Sequence, residues 1–112
     1  MRHRAQLSDM TRGWFVGAFE PTALHTEAVE VGVKTFRAGE TEEWHVHDVG
    51  TEVTLVVSGR VRMGSDELAA GDILVLDPGE PSDFEALTDV TLVAVKLPSV
   101  RGDKRSLPES PS

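Results

Sequence analysis

Cysteine is absent from this chain, which excludes disulfides, thiolate metal centres and a cysteine nucleophile, although such an absence fits any compartment. Long apolar runs are missing as well, and nothing approaches the roughly 18 residues that a membrane span requires. The opening MRHRAQLSDM is too polar for a signal peptide, so a cytoplasmic protein is expected. Basic residues are scarce: 11 Lys and Arg stand against 19 Asp and Glu, a formal net charge of -8. That balance leaves no electrostatic footprint for nucleic acid or anionic lipid, and neither is expected as a partner. Helical periodicity and internal repeats are also missing. With 112 residues there is room for one single-core domain and little else.

Short strands separated by Gly and Pro turns fill most of the chain. Between Ala28 and Phe36, Val29, Val31 and Val33 alternate with Glu30, Gly32 and Lys34, the period of a half-buried strand. Trp14-Phe15-Val16, flanked by Gly13 and Gly17, reads as a strand or as cover for a barrel end. In Glu52 to Ser58 the alternation sends Glu52, Thr54 and Val56 one way and Val53, Leu55 and Val57 the other, where they need cover of their own. Ser58-Gly59-Arg60 is a tight turn into Arg60 to Met63. The near-continuous apolar run Asp72 to Leu76 predicts a strand buried on both faces, and Asp77-Pro78-Gly79 predicts a turn. Phe84 to Leu87 is a short strand or loop, and Val90 to Leu97 a last strand. From Pro98 the composition shifts to Pro, Ser, Gly and charge. The expected organisation is a flexible arm over 1–10, one barrel domain over 11–98 and a disordered tail over 99–112. An all-β sandwich or barrel follows from this pattern, closure being one way to remove exposed edges.

The chemistry gathers between Gly39 and Gly59. His45 and His47 lie two apart on an extended segment, so both imidazoles project from one face. Glu52, at the head of the next strand, adds a carboxylate. Two histidines and one carboxylate can hold one side of a divalent metal and leave other positions open. Arg60 and Arg62 share a strand face and read as solvated. Trp44 falls on the face opposite the histidines, as a core or rim residue or as the anchor of an interface. Arg101-Gly102-Asp103 reads as incidental to cell adhesion.

The order Gly39, five residues, His45, one, His47, four, Glu52, six, Gly59 resembles the first signature motif of the cupin superfamily. Gly71 to Ser82 is similar to the second cupin motif, in which a glycine-initiated strand and a Pro/Gly turn lead to a metal-binding histidine; here that position holds Ser82. The resemblance implies a cupin-type antiparallel β-barrel, a double-stranded β-helix or jelly roll, with a divalent transition metal (Fe, Mn, Ni, Co or Zn) on His45, His47 and Glu52. Three protein ligands with open positions are expected, and Ser82, Asp83, Asp77 and His25 are candidates for a fourth ligand or an outer contact. Thr54, Val56, Met63 and Phe84 are candidates for pocket lining. Such a barrel suits a small metal-dependent enzyme of isomerase, lyase or oxygenase type acting on a small polar metabolite, with a sugar-related one suggested by the resemblance. A non-catalytic ligand-binding or regulatory cupin, favoured by Ser82, and a metal-free epimerase-like cupin are the alternatives. Family habit and the outward face of Val53, Leu55 and Val57 imply a homodimer.

Overall fold

The computed structural model describes residues 1–108 of the 112-residue chain. Eleven strands follow a 3-10 turn at Leu7–Asp9: β1 (Trp14–Gly17), β2 (Leu24–His25), β3 (Glu30–Phe36), β4 (Thr41–His47), β5 (Thr51–Ser58), β6 (Arg60–Met63), β7 (Asp66–Ala69), β8 (Ile73–Leu76), β9 (Ser82–Ala86), β10 (Val90–Leu97) and β11 (Lys104–Ser106). They form two sheets, β2-β1-β3-β10-β5-β8 and β11-β4-β9-β6-β7. Except for the parallel β1/β2 pair, neighbours run antiparallel. No helix among the described residues is long and apolar enough to cross a membrane.

The pleat explains the packing. Inner positions of β5 and β10, with Val61, Met63, Leu68, Phe84 and Ala86 from the facing sheet, form one core, and Val56 and Val61 are wholly enclosed. Burying a side chain of this size contributes about 1.5–3 kcal/mol. Phe36 leans on Phe84 with ring centroids 4.5 Å apart, within the range in which tilted aromatic pairs attract. Gly59 makes the β5–β6 turn at φ +86°, and a Cβ there would lie 2.1 Å from the Asp89 carbonyl oxygen. No other residue fits that corner.

Two expectations are corrected. The run at β8 is not buried on both faces: Ile73 and Val75 are 62% and 51% exposed, while Leu74 and Leu76 turn to the core. β8 is the sheet's edge and no other described residue covers its outer side, so apolar composition alone overstated its burial. The tail 99–112 is not wholly irregular, because β11 pairs with β4 as Lys104↔His47, Arg105↔Val46 and Ser106↔His45. Ion pairs Lys104–Glu42 and Arg105–Asp48 hold the added strand; its polar composition hid an edge strand that lives on backbone hydrogen bonds. The remainder of the expected tail, 109–112, lies outside the described residues.

Candidate metal centre

β4 and β5 deliver the three residues to one end of the space between the sheets. His45 and His47 are 7% and 8% exposed, and Glu52 stands in register with Lys96 of β10 and Leu76 of β8. One ligand-capable atom from each lies within 4.8 Å of the others. Small rotamer adjustments close such a spread onto one ion with bonds of about 2.0–2.2 Å.

Outer contacts fix the donors. His45 Nδ1 donates to the Glu43 carbonyl oxygen at 2.7 Å; a carbonyl only accepts, so Nδ1 carries the proton and Nε2 keeps its lone pair. The two imidazoles stand nearly perpendicular, their centroids 5.6 Å apart. His47 Nε2 lies 3.1 Å from Glu52 Oε2, yet that buried oxygen has no partner in hydrogen-bond geometry. An unsatisfied buried acceptor costs roughly 1–3 kcal/mol, more when charged. A divalent cation among these atoms would satisfy it, and two imidazoles with one carboxylate suit a first-row transition metal. Burial pushes the Glu52 carboxyl up, but contact with His47 and the charge of Lys96 outweigh it and hold the group below its ordinary value.

Behind His47 sits Asp103. Its carboxylate accepts from the backbone N–H groups of Val49 (2.9 Å) and Gly50 (2.8 Å) and lies 4.0 Å from His47 Nδ1. Gly79 N–H donates to the His47 carbonyl oxygen at 2.8 Å, tying the Asp77-Pro78-Gly79 turn to the end of β4.

The other candidates separate. Ser82 is buried, faces inward and is paired in register with His45; its hydroxyl donates to the Asp83 carbonyl oxygen at 2.8 Å. Asp83, one residue on, points to the opposite face, where Arg62 and the Gly64 N–H hold it. His25 is exposed and pairs with Glu20. β2, which carries it, is four strand spacings from β5, about 19 Å at the usual separation, so the fold does not bring it to the centre. Asp77 is exposed in its turn. The cavity beside the cluster measures about 610 Å³; Thr54, Met63 and Phe84 are among its lining residues, whereas Val56 packs beneath it in the core. Sequence reasoning missed Trp14, Lys34 and Lys96 as lining residues. A signal existed for Lys34, because strand alternation puts it on the face of Gly32, away from Val31 and Val33.

Residues 32–97 match the family model described as cupin domain, and the chain belongs to that family. No curated protein matches it. An uncharacterized conserved protein with a double-stranded β-helix domain from Klebsiella pneumoniae superposes with a TM-score of 0.67 at 25% identity, over 75% of this chain and 74% of that one. The DMSP lyase DddQ from Ruegeria pomeroyi superposes at 0.71 and 15% identity, over 87% of this chain but only 51% of its own. Oxalate decarboxylase from Bacillus subtilis reaches 0.63 at 19%, with 72% and 24% covered. These likenesses establish the double-stranded β-helix.

Proposed function

We propose that the protein is a small metal-dependent cupin enzyme acting on a small polar metabolite, with His45, His47 and Glu52 as the metal ligands. The observation that carries this reading is their convergence, with an unpartnered buried Glu52 oxygen, at the wall of a cavity of about 610 Å³, a size usual for small-molecule sites. A cation bound there supplies Lewis acidity and open coordination positions, the basis of isomerase, lyase or oxygenase chemistry. The chain's own residues do the rest. The Glu43 carbonyl orients the His45 imidazole, Asp103 places a carboxylate 4.0 Å from His47 Nδ1, Met63, Phe84 and Leu92 give the cavity an apolar wall, and Thr54 offers a hydroxyl inside it. A sugar-related metabolite is one ligand of the required polarity.

Ser82 favours a second reading, a ligand-binding or regulatory cupin without turnover, since a neutral hydroxyl stands where the family's motif has its last histidine. The molecule is further read as a homodimer formed through the outer face of the six-stranded sheet. Elemental analysis tests the central claim: a stoichiometric transition metal in the parent chain and none in His47→Ala is expected. Absence of metal after growth in supplemented medium would count against both metal-based readings.

A further inference from the structure

Two ammonium groups lie over a single indole in the cavity. Lys34 Nζ lies 5.1 Å and Lys96 Nζ 5.0 Å from the Trp14 ring centroid, and all three side chains line the space that His45, His47 and Glu52 share. Cation–π attraction places both charges within about 6 Å of the ring. The ring itself is seated against Gly32, where a Cβ would come within 2.7 Å of its Cε3 atom. β3 thus gives up a side chain so that the indole can lie on the sheet as a fixed floor.

Among the described residues neither ammonium has a carboxylate within ion-pair distance. In a chain of net charge -8, acids would be easy to supply. Lys34 Nζ donates to the Arg12 carbonyl oxygen at 2.7 Å. Lys96 stands in register between Glu30 and Glu52, but Glu30 accepts from the Ser99 hydroxyl at 2.7 Å and Glu52 faces the histidines. Burial, before any neighbouring charge, pushes Lys34 below the ordinary lysine range, a cost that a bound anion would relieve.

We propose that Lys34, Lys96 and Trp14 form a subsite for the carboxylate of a small organic acid, beside the His45–His47–Glu52 group. This names the ligand class of the site proposed above and rests on that reading only for the second anchor of the ligand. Lys96 is the cross-strand partner of Glu52, so an acid held by the two ammoniums would lie beside the His45–His47–Glu52 group that would hold the metal. A carboxylate fits better than a phosphate. Glu20, Glu30, Glu42 and Glu52 share the cavity and repel a dianion more strongly. No helix N-terminus lines the cavity to receive a phosphate.

Titration calorimetry with propanoate, propanamide and inorganic phosphate tests the subsite, on metal-loaded and chelator-stripped protein. Propanoate is expected to bind both forms, propanamide neither, and phosphate more weakly than propanoate. Lys34→Met and Lys96→Met should each weaken propanoate about tenfold or more, and Lys34→Arg should restore most of the loss; metal content and melting curves, measured in parallel, verify that the variants are folded. Should a Met variant not fold, the Arg variant and the amide control carry the test. Equal affinity for the amide, tighter binding of phosphate, or propanoate affinity unchanged in both Met variants overturns the proposal. Lysine-dependent propanoate binding by His47→Ala supports the subsite even if the metal reading fails. Stoichiometric metal with lysine-independent propanoate binding leaves the metal reading standing and overturns the subsite.

Discussion

Asp103 stands 4.0 Å from His47 Nδ1 while its two oxygens accept from the Val49 and Gly50 N–H groups. One side chain from the C-terminal segment thereby fixes the turn between β4 and β5, which bear all three candidate ligands. Outer partners of metal-binding histidines typically matter by about 10–100-fold in metal affinity. Asp103→Ala is expected to weaken metal binding by that order without unfolding the barrel, with competition against a chromophoric chelator as the readout. Unaltered affinity would reduce Asp103 to a loop cap.

Metal removal should lower the melting temperature. A ligand that binds only the folded chain adds RT ln(1 + [L]/Kd), about 2.7 kcal/mol at a hundredfold excess over Kd. Scanning calorimetry before and after chelation measures it, and Glu52→Gln, which keeps shape but loses charge, should abolish the difference. A melt insensitive to verified removal would show that the ion is not tied into the barrel.

The sequence carried the fold well because strand alternation and Gly/Pro turns are local signals. Val90–Leu97 and Glu52–Ser58 read directly as strands, the second with Thr54 and Val56 on the face of Glu52. His45, His47 and Glu52 were legible for the same reason, since two lie on one strand and the third just past one turn. What failed was non-local. Asp103 sits 56 residues beyond His47 in the chain, inside an RGD triplet that reads as incidental, and reaches the site only because β11 pairs with β4. The exposure of β8 depends on what lies outside the sheet, which alternation within a strand does not encode. Lys34 and Lys96 look like ordinary solvated lysines in the sequence, yet both ammoniums lie over the Trp14 ring.

Acid should loosen the hairpin carrying Met63. Hydrogen bonds from Arg62 are the main cause that holds the Asp83 carboxyl below its ordinary value, aided by the Gly64 N–H. A group whose pKa is depressed in the folded state contributes stability above its unfolded value of 3.8 and loses it as pH falls through the lower folded value. Because the pair is partly exposed, its worth is below about 1 kcal/mol. Asp83→Asn should therefore lower the melting temperature slightly at pH 7, and the difference from the parent should shrink as pH falls below 3.8. A difference that persists unchanged into acid would contradict this.

The outer face of the six-stranded sheet carries a row of valines, Val16, Val31, Val95, Val53 and Val75, in register across five strands. Val33, Val93, Leu55 and Ile73 form a second row beside it. A contiguous aliphatic surface of this kind marks an interface, and a self-complementary sheet face suits a twofold pair. Light scattering at high micromolar concentration is expected to give a dimer mass for the parent and a monomer mass for Val53→Lys or Ile73→Lys. A monomeric parent would refute the pairing.

Ser82 offers the sharpest test of site geometry, because the register pairs it with His45 while Asp83 turns away to Arg62. Cross-strand neighbours carry their Cβ atoms about 4.5–5.5 Å apart, so an imidazole at position 82 reaches the space between His45 and Glu52. Ser82→His is expected to add a fourth ligand and tighten metal retention, while occupying a position that substrate or water would otherwise use. Affinity should rise and any activity should fall. Asp83→His, on the outward face, should change neither, and His47→Ala should abolish binding because two ligands do not outcompete hydration. Metal affinities for the three variants decide the matter together. If Ser82→His binds no more tightly than the parent while His47→Ala loses the ion, the inward face of β9 does not look onto the metal, and the three-ligand centre is closed on that side.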